Sequence, residues 1–254
     1  MPSALRNSIE FKVWGRNALF TDPLTKVGGE KCSYHIPTYE ALKGIAKSIY
    51  WKPTIIWVID EVRVMKRIRT QTKGTKPMNF GGVYPSEQDT SKKQEPFNTL
   101  AIYTLLSDVE YQVRIHFEWN EHRPELKKDQ IDGKHFAIAQ RMLERGGRQD
   151  IFLGTRDCQG YVEPCEFGSG SSHYDGAGEL AFGIMFHGFD YPDETGDEKL
   201  HARFWRPTMI NGVVHFTRPD KCNFKKSVRA MSMKLFDSNQ NLRPVEHEEA
   251  KLED

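Results

Sequence analysis

The chain has 254 residues and a formal net charge of +1, from 36 basic and 35 acidic residues. A nearly neutral total gives no global indication of nucleic-acid binding, so any basic surface must be local. The length suits one large domain or one and a half, and 38% hydrophobic residues are enough to form a buried core. The composition predicts a soluble globular protein.

Cysteine spacing and the apolar segments bear on the cellular compartment. No C-x-x-C pair is present, which argues against a zinc ribbon or disulfide framework and fits reduced thiols. A metal site formed by Cys158, Cys165 and His173 is a minor alternative. Met1 to Glu10 contains no apolar leader, and no run of about 18 apolar residues occurs anywhere. We expect a cytoplasmic protein with no cofactor, no bound metal and no membrane contact.

Hydrophobic periodicity predicts the elements of the first half of the chain. Apolar and polar residues alternate over Ile9 to Trp14, as in a half-buried strand, and Pro37 to Trp51 has one apolar helical face. Thr54 to Val64 is apolar on both alternations, which suits a central strand. Leu100 to Trp119 alternates again and predicts a long strand, with His116 exposed on its polar face.

Two segments carry local positive charge. The loop Phe20 to Lys31 contains Lys26 and Lys31 and could hold phosphate or serve only as a connection. Six basic residues with no acidic residue between them follow the central strand, and they could contact phosphates or form a solvated sheet edge. The six are Arg63, Lys66, Arg67, Arg69, Lys73 and Lys76. Beyond them, Gly81 to Pro96 is typical of a loop or hairpin tip.

The stretch Asp132 to Gly160 contains the strongest candidate site. Asp132 can cap a helix whose apolar residues recur at i, i+3 and i+7 up to Gly146, and a strand follows at Asp150 to Thr155. Lys134 and His135 lie in the first turn, where free backbone N–H groups and the helix dipole favour an anion and a neutral imidazole. A neutral imidazole is the form that a general base needs. A solvated Lys-His pair is the simpler alternative.

The order of the predicted elements is strand, helix, strand, strand, helix, strand. This is the βαββαβ arrangement of the ferredoxin-like fold, an α+β fold that RNA-recognition domains use. After Gly160 the chain is rich in glycine and serine, with short strands at Leu180 to Phe189, Leu200 to Trp205 and Gly212 to Phe216. We therefore expect a ferredoxin-like domain at 1–160, a β-rich C-terminal extension at 161–240 and an acidic, frayed tail at 241–254.

Four motifs occur in an order that resembles a known family. They are L-F-T-D-P-L-T-K-V-G-G-E-K, P-T-Y-E-A-L-K-G-I-A-K-S-I-Y-W-K-P-T, G-K-H, and G-G-R-Q-D-I-F-L-G-T-R-D-C-Q-G-Y-V. Together they resemble the subtype I-C CRISPR-associated endoribonuclease, the catalytic member of the fifth CRISPR-associated protein family. The resemblance runs from about Ile9 to Phe236.

The resemblance implies a fold, an activity and partners. It implies a ferredoxin-like (RRM-like) domain with a C-terminal β-sheet extension, and metal-independent cleavage of precursor CRISPR RNA at the repeat hairpin. The implied protein stays on the 5′ handle as a subunit of the interference complex, beside its large and backbone subunits and with target DNA as a further contact. The runner-up is a non-catalytic RNA-binding subunit that caps the 5′ handle.

The resemblance also implies an active site made of Tyr50, Lys134 and His135. RNA supplies its own nucleophile, the 2′-OH, so the protein need only remove that proton, offset charge on the phosphate and help the 5′-oxygen leave. The products would carry a 2′,3′-cyclic phosphate and a 5′-hydroxyl. We assign no role to His35. The predicted RNA contacts are Lys26, Lys31, Arg63, Lys66, Arg67 and Arg69.

Overall fold

The structure is a computed structural model that describes residues 7–23, 25, 30–76, 100–131 and 133–234. The predictions for Lys26, Asp132, Gly81 to Pro96 and the tail at 241–254 lie outside the described residues. The α-helices are α1 (Tyr39–Ile49), α2 (Lys134–Glu144) and α3 (Pro192–Thr195). The strands are β1 (Ser8–Ala18), β2 (Lys31–Cys32), β3 (Ile55–Val64), β4 (Thr70–Thr75), β5 (Ala101–Trp119), β6 (Ile151–Phe152), β7 (Gln159–Pro164), β8 (Glu179–Ala181), β9 (Met185–Asp190), β10 (Lys199–Trp205), β11 (Thr208–Ile210), β12 (Val213–His215) and β13 (Phe224–Ala230).

The described residues form a mixed α/β structure with a mostly antiparallel sheet. Ten strands make the larger sheet, in the order β6-β7-β1-β5-β3-β12-β11-β8, with β2 and β4 paired to the first part of β5. The pairing of β2 with β5 is parallel, and the pairings of β1 with β5 and β7 and of β3 with β5 are antiparallel. Strands β13, β10 and β9 form a second sheet.

Helix α1 forms where the periodicity predicted a helix. The Oγ1 of Thr38 accepts a hydrogen bond of 3.1 Å from the Ala41 N–H and caps its first turn. The helix ends at Ile49, because Tyr50 adopts extended dihedral angles and the Lys52-Pro53 pair disfavours further helix. Its apolar face is buried against β3, so the end of α1 is fixed relative to the sheet.

A short 3-10 helix at Pro124–Asp129 precedes helix α2, which begins at Lys134. Gly133, with φ of 76°, is the N-cap and offers no side-chain cap. At the other end Gly146 and Gly147 have positive φ, and their N–H groups donate to the carbonyls of Leu143 and Met142. This is the glycine-dependent helix end that the sequence predicted, and it turns the chain back toward α1.

The expected strand at Asp150 to Thr155 is shorter than predicted. Only Ile151–Phe152 is strand, and it pairs with β7 rather than with β1. The chain leaves the extended conformation because Gly154 has φ of 97° and packs directly on the backbone of Leu19. The strand that pairs with β1 after α2 is therefore β7, which crosses the predicted domain boundary at residue 160.

The smaller sheet is attached to α1 by charged groups. The Lys43 ammonium is 2% exposed and forms an ion pair with Glu194 in α3. The Glu40 carboxylate accepts a hydrogen bond of 3.1 Å from the N–H of Phe189 in β9. Buried ion pairs with satisfied partners constrain geometry more than they add stability. These contacts hold α1, which carries Tyr50 at its end, against the C-terminal strands.

Two kinds of feature are absent from the described residues, a membrane-spanning helix and a metal-binding cluster. None of the helices there is long and apolar enough to span a membrane. The same residues contain no group of three or more His, Cys, Asp or Glu side chains arranged to hold a metal ion, so Cys158, Cys165 and His173 do not form one.

Candidate active site

Tyr50 is fixed by its position at the end of α1. Its N–H donates to the Ala46 carbonyl over 3.0 Å, and its own carbonyl accepts a bond of 2.7 Å from Nε1 of Trp57. The residue is 3% exposed. With its backbone held on both sides, the phenol is directed toward the first turn of α2.

His135, another member of the active site that the resemblance implies, lies against Tyr50. The Tyr50 hydroxyl is 2.9 Å from His135 Nδ1, although 85 residues separate them in the chain. The imidazole is fully buried and packs edge-on against Trp119 and Phe117, with ring centroids 5.5 and 6.3 Å away. The structure brings the Tyr50 hydroxyl and the His135 ring into direct contact.

The main chain of Asp129 determines which nitrogen of His135 carries a proton. His135 Nε2 lies 2.8 Å from the Asp129 carbonyl, and a carbonyl oxygen can only accept. Nε2 therefore carries a hydrogen, and in the neutral ring Nδ1 is an acceptor. Nδ1 then accepts the Tyr50 O–H, which makes a chain of donors running from Tyr50 through His135 to Asp129.

Lys134 is the accessible member of the predicted site. Its side chain is 42% exposed, and its ammonium forms an ion pair with the Asp129 carboxylate. The other Asp129 oxygen accepts a bond of 2.7 Å from Thr54 Oγ1. These bonds from Lys134 and Thr54 lower the pKa of Asp129 below its usual value. One carboxylate thus anchors Lys134 beside the buried imidazole.

Burial sets the protonation state of Tyr50. Desolvation raises the pKa of the Tyr50 phenol, the negative charge of Asp129 raises it further, and the positive charge of Arg148 opposes both. The phenol is therefore protonated across neutral pH and acts as a hydrogen-bond donor. The arrangement can pass a proton from Tyr50 to His135.

The burial of His135 departs from both sequence-based interpretations of the helix start. Neither an open phosphate site nor a solvated Lys-His pair describes a histidine with 0% exposure and two bonded ring nitrogens. The cause is the apolar wall of β5, which supplies Phe117 and Trp119. Of the Lys134-His135 pair, Lys134 alone faces solvent.

Arg63 does not lie on the surface where an RNA contact was predicted. It is 6% exposed, and its guanidinium donates to the carbonyls of Ser169 and Gly170 and to the Asp175 carboxylate. These acceptors lie on the glycine- and serine-rich segment that follows β7. Arg63 holds that segment against β3, so its donors are not available to phosphate.

The rest of the predicted basic patch is partly neutralised. Lys66 and Arg69 form ion pairs with Asp108, which lies about 40 residues away and was not visible as a partner in the sequence. Arg67 is exposed and makes no ion pair within the described ranges. The Lys31 ammonium lies 4.7 Å from the centre of the Tyr103 ring. Arg67 resembles Lys73, which is also exposed and without an ion pair in the described part of the chain.

His116 is more constrained than an exposed sheet residue. Its Nδ1 lies 2.9 Å from the Asp60 carboxylate, and Nε2 lies 3.4 Å from Glu118. The bond and charge of Asp60 raise the pKa of His116 despite partial burial. The polar face of β5 is therefore a network of ion pairs in which acidic groups compensate the cations.

Sequence reasoning missed Asp129 and the arginines after α2. Asp129 sits at the end of the 3-10 helix, and its spacing of five residues from Lys134 was the available indication. The loop after α2 docks on the end of α1, because the N–H groups of Arg148 and Gln149 both donate to the Ser48 carbonyl over 3.0 Å. Arg148 therefore lies beside Tyr50, although the G-G-R-Q-D motif gave no sign of it.

The fold and site define a mixed α/β protein, with a largely antiparallel sheet and a buried Tyr-His pair at the ends of two helices. Residues 8–217 match the family described as CRISPR-associated protein (Cas_Cas5). The chain belongs to this family.

Two curated relatives carry the same protein name. A protein of Mannheimia succiniciproducens named CRISPR pre-crRNA endoribonuclease Cas5d is 36% identical over 104 residues, which span 41% of this chain and 44% of that protein. The match thus covers less than half of that relative's length. A protein of Thermus thermophilus with this name is 26% identical over 206 residues, covering 78% of this chain and 80% of the relative.

Two solved structures share the architecture. The crystal structure of a CRISPR-associated protein is 33% identical, covers 86% of this chain and 96% of its own, and superposes with a TM-score of 0.68. A functionally uncharacterized protein from Streptococcus mutans is 36% identical with the same coverage and a TM-score of 0.67. Both support the mixed α/β fold with its mostly antiparallel sheet.

Proposed function

We propose that this protein is a metal-independent endoribonuclease that cleaves precursor CRISPR RNA at the repeat hairpin. The observation that carries the proposal is the 2.9 Å contact between Tyr50 and His135, in a chain whose relatives are named pre-crRNA endoribonucleases. A buried histidine with a fixed tautomer, bonded to a protonated phenol, suits proton transfer better than phosphate binding alone.

The proton-transfer step uses Tyr50 as the group that touches RNA. The 2′-OH gives its proton to the Tyr50 oxygen while the Tyr50 proton moves to His135 Nδ1. The 2′-oxygen forms a bond to phosphorus, the bond to the 5′-oxygen breaks, and that oxygen leaves as a hydroxyl after taking a proton from solvent. The products are a 2′,3′-cyclic phosphate and a 5′-hydroxyl. No water or metal hydroxide attacks in this scheme.

Lys134 and Asp129 assist by charge. Once His135 has accepted a proton it is an imidazolium, and the Asp129 carboxylate 3.4 Å from Nε2 stabilises it. The Lys134 ammonium is the exposed cation next to this pair, so it can offset the charge that grows on the phosphorane. The Asp129 carboxylate therefore has two roles. It positions the Lys134 ammonium, and it stabilises the positive charge on His135.

The same proposal includes the fold topology and domain organisation. We assign the ferredoxin-like arrangement to β1, α1, β3, β5, α2 and β7. It is supported by the antiparallel order β7-β1-β5-β3 and by both helices packing on one sheet. The boundary between this domain at 1–160 and a β-rich extension at 161–240 remains a prediction.

The proposal extends to partners and cellular location. We propose that the protein stays on the 5′ handle of the processed RNA in the cytoplasm, within an interference complex that includes large and backbone subunits and contacts target DNA. The proposed phosphate contacts are Lys26, Lys31, Lys66, Arg67 and Arg69. Arg67 is a stronger candidate than Lys66 and Arg69, because those two pair with Asp108 and Arg67 has no acidic partner in the described part of the chain.

A non-catalytic RNA-binding subunit is the second candidate. The observation that favours it is burial, since Tyr50 is 3% exposed and His135 is not exposed at all. Under the endoribonuclease proposal, RNA binding must displace the side chains that cover Tyr50. Under the alternative, the Tyr-His pair only stabilises the contact between α1 and α2.

One cleavage assay separates the two candidates. Purified protein is incubated with repeat RNA in EDTA, beside a Tyr50→Phe variant that keeps the ring and removes the hydroxyl. The endoribonuclease proposal predicts one cut beside the hairpin by the wild-type protein and a large loss of rate in the variant. Equal binding by both proteins with no cut by either would support the handle-capping subunit.

A further inference from the structure

Two adjoining clefts lie beside Tyr50. The larger, of about 840 Å³, is lined by the loop after α2 and by β6 and β7, and includes Arg145, Arg156 and Tyr161. The smaller, of about 580 Å³, is lined by Lys47, Trp51, Lys52 and Pro53 at the end of α1. Both clefts share Arg148 and Gln149, so these two residues form the boundary between them.

The position of this boundary is set by the backbone. The Arg148 N–H donates to the carbonyls of Ser48 and Ile49 over 3.0 and 3.3 Å, directly before Tyr50. The positive charge of Arg148 also opposes the rise in the pKa of the Tyr50 phenol. A phosphate held by Arg148 would therefore lie close to Tyr50.

The arginines of these clefts are less compensated than the arginines on the sheet face. Three exposed arginines, Arg145, Arg148 and Arg156, form no ion pair with any residue that the structure describes. Asp150 is the one carboxylate among the described lining residues. By contrast, Arg114 and Arg218 on the sheet face each pair with glutamates. Uncompensated arginines in a concave surface attract a polyanion.

Each cleft also has an exposed aromatic side chain. Tyr161 is 56% exposed and is braced by Trp14, with ring centroids 5.9 Å apart. Trp51 is 43% exposed and follows Tyr50 directly. Exposed aromatic rings beside cations are the usual platform for unpaired bases, whereas bases within a duplex are not available for such stacking.

We propose that the two clefts bind single-stranded RNA on the two sides of the scissile phosphate. Bases stack on Tyr161 in one cleft and on Trp51 in the other, and Arg148 binds a backbone phosphate between them. This proposal rests on the proposed function in one respect, that the scissile phosphate is the one next to Tyr50. It assigns the hairpin stem to another surface, because neither cleft carries the long cationic face that a duplex needs.

A binding experiment tests the proposal without depending on cleavage. The probe is repeat RNA with 2′-deoxy nucleotides on both sides of the hairpin and a single 2-aminopurine, placed in turn at each unpaired position. Stacking on an aromatic ring quenches 2-aminopurine fluorescence. We expect one quenched position that recovers in Tyr161→Ala and a different one that recovers in Trp51→Ala, each with about 5- to 150-fold weaker binding. Tyr161→Phe should behave as wild type.

Arg148 is tested by the salt dependence of the same affinity. Arg148→Gln should flatten the slope of log K against log salt by about 0.7, the value for one phosphate contact on a single strand. The control is Arg141→Gln, which removes an exposed arginine of α2 that lines neither cleft and should leave the slope unchanged. Unfolding midpoints of all variants are measured to confirm that each is folded.

The outcomes separate the two proposals. Wild-type affinity and quenching in folded Trp51, Tyr161 and Arg148 variants would overturn the cleft assignment, even if the protein cleaves repeat RNA. The expected losses of binding in a protein that never cuts would support the clefts and contradict only the endonuclease activity. Equal losses in Arg141→Gln and Arg148→Gln would show a general charge effect and would also overturn the assignment.

Discussion

His135 Nε2 donates a hydrogen bond of 2.8 Å to the main-chain carbonyl of Asp129. This bond ties the first turn of α2 to the end of the preceding 3-10 helix and leaves Nδ1 as the acceptor for Tyr50. The Asp129 side chain meanwhile binds Lys134 and Thr54. A single residue therefore holds both His135 and Lys134, which makes Asp129 a positioning residue in the proposed mechanism.

Asp129→Asn tests that role. The main-chain bond to His135 survives, but the charge that stabilises the imidazolium and holds Lys134 is lost. We expect a decrease in kcat of about 10- to 150-fold, the rate equivalent of a charge-assisted hydrogen bond of about 1.5–3 kcal/mol, with KM nearly unchanged. Glu125→Gln, which removes an exposed carboxylate from the same 3-10 helix, is the control. A raised KM with unchanged kcat would assign Asp129 to RNA binding instead.

Tyr50 and His135 should behave as one unit. His135→Ala and Tyr50→Phe are each expected to slow cleavage by about 100- to 10,000-fold, the range for a lost general acid or base, with little change in RNA affinity. Because both act in one proton-transfer chain, the double variant should be little slower than either single variant. Single-turnover rates on repeat RNA measure this. Losses that multiply in the double variant would show that the two residues act independently.

The positions of most elements were predictable because the spacing of hydrophobic residues along the sequence indicates which side chains of a strand or helix are buried. The alternation in β1 and β5 and the doubly apolar run of β3 predicted those strands, and the glycine pair predicted the end of α2. The strand after α2 was predicted too long because Ile151 to Leu153 is a continuous apolar run, more apolar than β7. What ends β6 is the close approach of Gly154 to Leu19, a tertiary contact without a local sequence pattern.

Arg63 provides a test of stability rather than of binding. Arg63→Gln removes the guanidinium bonds that hold the Ser169 and Gly170 carbonyls and the Asp175 carboxylate to the buried end of β3, so we expect a loss of about 1–3 kcal/mol in the free energy of unfolding. Arg67→Gln, on the exposed side of the same run, should change stability by less than about 0.5 kcal/mol. Urea denaturation measures both. Unchanged stability in Arg63→Gln would contradict its structural role.

The same two variants should have the opposite order of effects on RNA binding, with the larger effect in Arg67→Gln. Arg67→Gln is expected to reduce the salt slope of repeat-RNA affinity by about 0.7, and folded Arg63→Gln to leave it unchanged. The sequence grouped these residues because both carry charge, but it could not show that the segment around Ser169 covers one of them. Nor could it show that Asp108 neutralises Lys66 and Arg69.

His116 predicts how stability depends on pH. Its pKa is raised mainly by the hydrogen bond to Asp60, with Glu118 contributing and Arg218 paired to Glu118 nearby. A raised pKa means that the protonated form is favoured in the folded state. The resulting stabilisation is complete below the unfolded pKa of about 6.5 and is lost as pH rises through the folded value.

The measurement compares wild type and His116→Gln. The difference between their melting temperatures should be larger at pH 6 than at pH 9. His173→Gln is the control, because His173 makes no ion pair within the described part of the chain. A difference for His116→Gln that is independent of pH would show that Asp60 does not favour the protonated ring.

The candidate catalytic residues came from the family resemblance, and their geometry came from the fold. Tyr50 by itself is an ordinary residue at a helix end, and nothing local relates it to His135. Asp129 and Arg148 were missed because their relevance arises only when the 3-10 helix and the loop after α2 meet the end of α1. Such contacts depend on main-chain bonds to carbonyls, which carry no residue-specific pattern.

The most direct test of the central claim is the chemistry of the cut. Repeat RNA and a copy with a single 2′-deoxy nucleotide at the cut site are incubated with the protein in EDTA, and the product ends are analysed. The account predicts a 2′,3′-cyclic phosphate and a 5′-hydroxyl from the natural RNA, and binding without cleavage of the deoxy copy. Cleavage of the deoxy copy, or a strict requirement for magnesium, would contradict it, because water or a metal hydroxide would then be the nucleophile.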